Sequence, residues 1–317
     1  MSGPIQAFVA VTDNDWHTFL RSRGELDEVN FWRPTATTPA RLPVGTPWFF
    51  KAKAPINAIV GGGFFAHYSS MPISVAWDAF GEKNGAHDFR TFEKSLLRLR
   101  RGLSGGDPLA RQNPIIGCVI LSAPFFLEPS DYVQVPDDWR DQIVSGKTYD
   151  LTTSAGAELW AAVQGRLAAR LALGGRPPPP PFSPAVGEPR LMIPRLGQGG
   201  FRFAVVDAYA RRCAVTGERT LPAIEAAHIR PFSAVQRHEI TNGIALRSDI
   251  HRLFDQGYVT IDGDHRFRVS RAIRDEFENG RDYYALHKQS IRLPERQNDH
   301  PDRQSLEWHG ATLYRGD

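Results

Sequence analysis

The sequence predicts an α+β chain of two domains: an N-terminal mixed β-barrel with helical insertions, and a smaller C-terminal ββα module. Three observations carry that reading. Short apolar runs bounded by turn residues crowd the first half, and five successive prolines, Pro177 to Pro181, divide the chain. Beyond them a strand, a second strand and a helix follow one another within one short stretch.

Taken in order, Ala7 to Val11, Val29 to Trp32, Pro47 to Lys51, Ile56 to Val60, Phe64 to Tyr68 and Ile115 to Leu121 read as strands, each an apolar or β-branched run ended by turn residues. Between them, Asp15 to Arg21 reads as a short helix capped by Asp13 or Asn14, and Phe89 to Arg100 as another. Many short strands with few helices point to a partly open barrel. Gly61-Gly62-Gly63 is expected to form a tight turn or bulge. A longer helix, Ala157 to Leu173, closes this first domain, residues 4–173. Its Leu159, Val163, Leu167 and Leu171 fall at helical spacing, Ser154 is its expected N-cap, and Gly174 stands at the C-cap position.

Residues 174–200 read as a linker. The proline run excludes helix and central strand and forms a stiff spacer, and Gly197-Gln198-Gly199-Gly200 reads as a flexible close. The second domain, residues 201–317, opens on a helical stretch, Phe201 to Arg211. Asp262-Gly263 signals a hairpin between Tyr258–Ile261 and Arg266–Val269.

Composition narrows the class of protein. No apolar stretch approaches the roughly 20 residues of a membrane-spanning helix, and the first residues lack the basic start and apolar run of a secretory signal. Two cysteines, Cys118 and Cys213, exclude a disulfide framework and a four-cysteine zinc site. The expected location is the cytoplasm. The net charge of +3 says little about partners, but the cations are mostly arginine, which pairs bidentately with phosphate.

The chemistry concentrates in CAVTGERTLPAIEAAHIRPFSAVQRHEITNGIALRSDIHRLFDQGYVTID, residues 213–262. It reads as a strand ending at His228, a loop, a strand from Gly243 to Leu246, and a helix from about Ser248 to Gln256. Asn242 follows His228 by 14 positions and His251 follows it by 23. That arrangement, AAHI…NGIAL…HRLFD, resembles the HNH (ββα-metal) endonucleases.

The resemblance implies hydrolysis of phosphodiesters with one divalent cation, Mg²⁺ or Mn²⁺ (Ni²⁺ or Co²⁺ also suit the ligand type). It implies His228 as general base, Asn242 accepting the other ring N–H of that base, and His251 as metal ligand. Where many of the family carry an Asp or His just before the base, this chain has Ala227. Glu225, on the same strand face, is one candidate second ligand; a site held by His251 alone is the other. Asp255, one turn beyond His251, is expected to orient it. Arg230, Arg247 and Arg252 flank these residues as candidate phosphate contacts. Cys213 is expected to be buried and inert.

The first domain is aromatic at turn-like places, and its order of elements is similar to the PUA-like superfamily, with its EVE and SRA domains. That similarity implies stacking of a flipped, modified base between aromatic faces. Asn30 and Trp32 on one strand face, with Phe64 and Phe65, are the candidate pocket, and Glu82, Lys83 and Asn84 are candidate edge readers on a loop. The combined expectation is a modification-dependent DNA restriction endonuclease, reading a modified cytosine in double-stranded DNA and acting as a homodimer away from membranes. An HNH nuclease with a reader of unmodified nucleic acid, and a non-catalytic nucleic-acid-binding protein with a relic HNH fold, remain open on the sequence.

Overall fold

Alternating apolar residues in QAFVAVT produce the first strand, β1 (Gln6–Thr12), whose inward side chains are fully buried. The computed structural model describes residues 5–37, 42–100, 113–172, 196–231 and 238–316. They divide into two units, Met1–Gly197 and Gln198–Asp317.

In the first unit α1 (Asn14–Arg21) follows β1, and the Asp13 carboxylate caps it by accepting from the Asp15 and Trp16 amides. Then come β2 (Glu28–Arg33), β3 (Pro47–Ala52), β4 (Ala58–Pro72), α2 (Ile73–Phe80), a 3₁₀ turn at Gly81–Asn84 and α3 (Phe89–Arg100). The unit continues with β5 (Ile115–Phe126), β6 (Val133–Gln134), β7 (Gly146–Asp150) and α4 (Ser154–Ala172).

One mixed sheet runs β2-β5-β4-β3-β1-β7, with β6 also on β4; β1 and β3 are parallel and the other ladders antiparallel. Of the partly open barrel expected, the described residues show a mixed sheet without closure. β2 and β7 end the path, and no ladder joins them among the described residues. Strand periodicity locates strands, but closure depends on pairing between edges far apart in sequence.

The strands expected separately at Ile56 to Val60 and Phe64 to Tyr68 are one, β4, running straight through the three glycines. Of the tight turn or bulge expected there, the structure shows the bulge: the register with β5 shifts between Gly62 and Phe64, inside the strand. Space explains the glycines. A side chain on Gly62 would sit 2.7 Å from the Trp48 carbonyl oxygen and 2.8 Å from the Phe125 ring, and one on Gly61 would overlap the Phe125 carbonyl.

The sheet is covered on both faces. Trp48 and Phe50 pack with Trp16, Leu20, Val29 and Phe65, whereas Phe49 between them packs with Val9, Ile59, Phe125 and, from α4, Leu159 and Val163. Ser154 is the first residue of α4; Gly174 and the proline run lie outside the described residues.

The second unit starts with α5 (Gln198–Ala208), whose first turn contains Gly199 and Gly200, both buried. The flexible close expected there is thus helix. β8 (Ile224–His228) pairs antiparallel with β9 (Gly243–Arg247), and α6 (Ser248–Asp255) buries Ile250 and Phe254. β10 (Val259–Ile261) and β11 (Phe267–Val269) form the expected hairpin, followed by α7 (Ala272–Phe277), α8 (Arg281–Tyr284) and α9 (Arg303–Thr312). No helix among the described residues is long and apolar enough to cross a membrane.

Candidate active site

The β8–β9 register sets His228 opposite Gly243, so Asn242 stands directly before the partner strand. Its carboxamide oxygen accepts the Arg230 N–H at 2.9 Å and its NH₂ donates to the Arg230 carbonyl at 3.0 Å, while its own carbonyl accepts from the Ile229 amide at 3.0 Å. Asn242 therefore pins the backbone that leaves His228. This corrects the expectation that its carbonyl accepts the His228 ring proton. A carboxamide presents one donor and one acceptor side by side, and here it pairs with a peptide unit as a neighbouring strand would.

The His228 ring has another partner. Its Nε2 lies 3.0 Å from His238 Nδ1, and the buried Phe201 ring from α5 stacks on its face at 4.0 Å and 14°. Nδ1 has no hydrogen-bond partner among the described residues and is open to solvent. Burial first, then the positive charges His238 and His251 would carry, lower the His228 pKa from 6.5 to about 4. Sequence reasoning missed both His238 and Phe201. Neither lies at a marked spacing, and only the packing of α5 and the approach to Asn242 bring them to the ring.

His251, on α6, faces β8. Its Nδ1 is 2.6 Å from Glu225 Oε2 and its Nε2 is 3.4 Å from Asp255 Oδ2. Burial pushes the Asp255 carboxyl above its ordinary pKa, with His251 opposing and Glu225 adding to the rise. Ala227 is fully buried and offers only a methyl, whereas Glu225, two residues earlier on the same face, reaches the imidazole.

Does this donor set suit a divalent ion? Glu225 and His251 supply a hard oxygen and an imidazole, and neighbouring ligands around an ion with bonds of roughly 2.1 Å stand about 3 Å apart, close to the contact seen. Asp255 meets the opposite ring nitrogen, so the three groups do not converge on one point. Among the described residues no cluster of three His, Cys, Asp or Glu forms a ready-made cage. The residues fit an open site with two protein ligands.

The three arginines differ. Arg247 is clamped bidentately by Asp249 at 2.6 and 2.8 Å, and Tyr283 donates to the same carboxylate at 3.1 Å, so it braces the start of α6. Arg230 donates to the Gln304 carbonyl at 3.2 Å and lies over the Trp308 ring at 5.5 Å. Arg252 is exposed and without a partner among the described residues. Cys213 is fully buried, and its sulfur accepts the Thr216 and Arg247 amides.

In the first unit the residues expected to line a base pocket are largely core. Asn30, Phe64 and Phe65 are buried, since both faces of β2 and β4 are covered. Asn30 and the half-buried Trp32 are brought together by Asn84. The Asn30 NH₂ donates to the Asn84 side chain at 2.8 Å, and the Trp32 indole to its carbonyl at 2.9 Å. Asn84 is itself buried, and its loop neighbours are tied down: Glu82 pairs with Arg23 and Lys83 with Asp27. The Asn30 Oδ1 and the indole N–H groups of Trp16 and Trp48 are buried without hydrogen-bond partners among the described residues.

A family model described as HNH endonuclease matches residues 213–262, so the chain carries an HNH endonuclease domain there. No curated protein matches the chain. Among solved structures, it is similar to a mutant of the ASCH protein from Zymomonas mobilis, at 11% identity and a TM-score of 0.30, over 49% of this chain and 96% of that one. It is also similar to the modification-dependent restriction endonuclease TagI, at 11% identity and a TM-score of 0.29, over 96% of this chain and 81% of that one.

Proposed function

We propose that this chain is a modification-dependent DNA restriction endonuclease, in which residues 201–317 cut the backbone and residues 4–173, as a PUA-like domain, read a modified base, a cytosine derivative. The observation that carries the cutting half is geometric: a His228 ring held through Nε2 with its Nδ1 unpartnered among the described residues, and a Glu225–His251 pair, both within the HNH match. Support for the reading half is a first unit rich in aromatic rings, in which the Asn30 Oδ1 and the Trp16 and Trp48 indole N–H groups are among the buried polar atoms without a hydrogen-bond partner among the described residues, groups that an entering base edge could satisfy.

In this reading His228 Nδ1 takes a proton from a water molecule, whose oxygen attacks the phosphorus while one ester oxygen leaves. Asn242 holds the chain at Arg230 so that the base keeps its place. Glu225 and His251 would hold a divalent cation, Mg²⁺ or Mn²⁺; when bound, it neutralises a phosphate oxygen and the charge growing on the leaving oxygen. Asp255 accepts from the His251 Nε2–H, and Arg252 meets a flanking phosphate. Cutting both strands of a duplex needs two such centres, and a homodimer supplies them.

Digestion of modified and unmodified plasmid in Mg²⁺ and in Mn²⁺ tests the proposal. Cleavage confined to modified DNA, abolished in His228→Ala with DNA binding retained, is the expected result. Equal cutting of both plasmids would remove the modified-base reading. Binding with no cutting in either metal would make the domain a relic.

A further inference from the structure

A neutral histidine has one ring proton, and His228 serves as a base at Nδ1 only if that proton sits on Nε2. Asn242, the residue the sequence offers to hold it there, directs both its carboxamide oxygen and its NH₂ to the Arg230 backbone. The only hydrogen-bond partner of the His228 ring among the described residues is His238 Nδ1, 3.0 Å from Nε2. Phe201 covers one face of the ring, nearly parallel to it, and lies 5.3 Å from the His238 ring as well. The imidazole is thus held in one plane, with one nitrogen directed to His238 and the other to solvent.

We propose that His238 is the positioning residue of this site: its bare Nδ1 accepts the His228 Nε2–H, fixes that tautomer, and leaves His228 Nδ1 free to take the proton of water. This rests on the nuclease reading above. During the step, the water O–H bond breaks and an N–H bond forms at Nδ1. The hydroxide oxygen bonds to phosphorus, the ester P–O bond breaks, and the leaving oxygen collects a proton from solvent. His228 is then a cation with both nitrogens protonated, and its Nε2–H bond to His238 Nδ1 becomes charge-assisted, strongest when the positive charge is present. His228 returns its extra proton to solvent. An imidazole nitrogen suits this task, because it accepts the bond without fixing a negative charge beside the incoming phosphate.

The test reads the tautomer directly. Full-length protein labelled with ¹⁵N in its imidazoles is compared with His238→Ala and His238→Asn at pH 7, with His228→Ala assigning the signal. The Nε2–H form of His228 is expected in the wild type, a mixture of tautomers in His238→Ala, and a return to Nε2–H in His238→Asn, whose carboxamide oxygen can accept the same bond. In parallel, cleavage by His238→Ala should lose about 10-fold to 100-fold in kcat with KM for DNA little changed, and His238→Asn should recover most of it.

The Nδ1–H tautomer in the wild type, or an unchanged tautomer and unchanged kcat in His238→Ala, would overturn the proposal. If the wild-type chain cuts no DNA, the nuclease reading fails, and the ring signals still decide whether His238 holds His228.

Discussion

His228, its pKa pulled to about 4 by burial and by its histidine neighbours, is neutral across the range in which an exposed histidine titrates. Only the neutral ring is a base, so protonation stops the reaction, and a lowered pKa moves that loss to lower pH. Single-turnover cleavage should therefore stay level from pH 8 down through 6.5 and fall only as pH approaches 4 to 5, measured where circular dichroism shows folded protein. An inflection at 6.5 would show that His228 is solvated in the working enzyme. Asn242 makes a different prediction. Asn242→Ala leaves the Arg230 amide and carbonyl unpaired in a part-buried place, at a cost of about 1–3 kcal/mol in urea unfolding. Its effect on cleavage should follow from the loosened backbone at Arg230, and the tautomer of His228 should not change.

At the scale of elements, the hairpin β8–β9 carries the site because α5 lies directly on it. A side chain on Gly243 would overlap Val205 and come within 2.9 Å of the Phe201 ring. Gly243 is extended, with φ −131° and ψ 144°, and is needed for space. Gly243→Ala should cost roughly 1–3 kcal/mol by overpacking and should shift Phe201 off the His228 ring, lowering kcat more than DNA binding. Denaturant unfolding and single-turnover kinetics on one preparation check both. On the other side of the hairpin, α6 is secured by Phe254, which stacks on His309 at 3.7 Å, while Arg247 and Asp249 brace its first turn.

Across the molecule, each unit keeps one neutral histidine in its core. His17 in the first unit meets the Val60 carbonyl, and His309 in the second meets Thr260 and the Phe254 carbonyl. Burial lowers both pKa values from 6.5 to about 4. Unfolding lets each bind a proton below 6.5, so stability is full above that pH and is lost progressively down to about 4, by on the order of 3 kcal/mol per histidine. Urea midpoints should fall between pH 7 and pH 5, and His309→Gln should reduce the fall in the transition that reports the second unit. An unchanged fall would place the acid sensitivity elsewhere.

Local chemistry was legible where local pattern determines the outcome. Alternation and helical spacing in the sequence place β1, β2, β3, α3 and α4, because a half-buried strand or helix must carry its apolar residues at its own period. The resemblance to HNH modules singled out His228, Asn242 and His251, and the order of hairpin and helix that goes with it places them at the end of β8, before β9 and on α6. The tertiary structure alone decided the rest: that no ladder closes the first sheet among the described residues, that the three glycines lie inside β4, that Asn30, Phe64 and Phe65 are covered, and that Asn242 grips Arg230 and leaves the His228 ring to His238. Each of those outcomes depends on which surfaces meet across long stretches of chain, and a hydrogen-bond partner is chosen by what arrives within 3 Å, a quantity that no period in a sequence records.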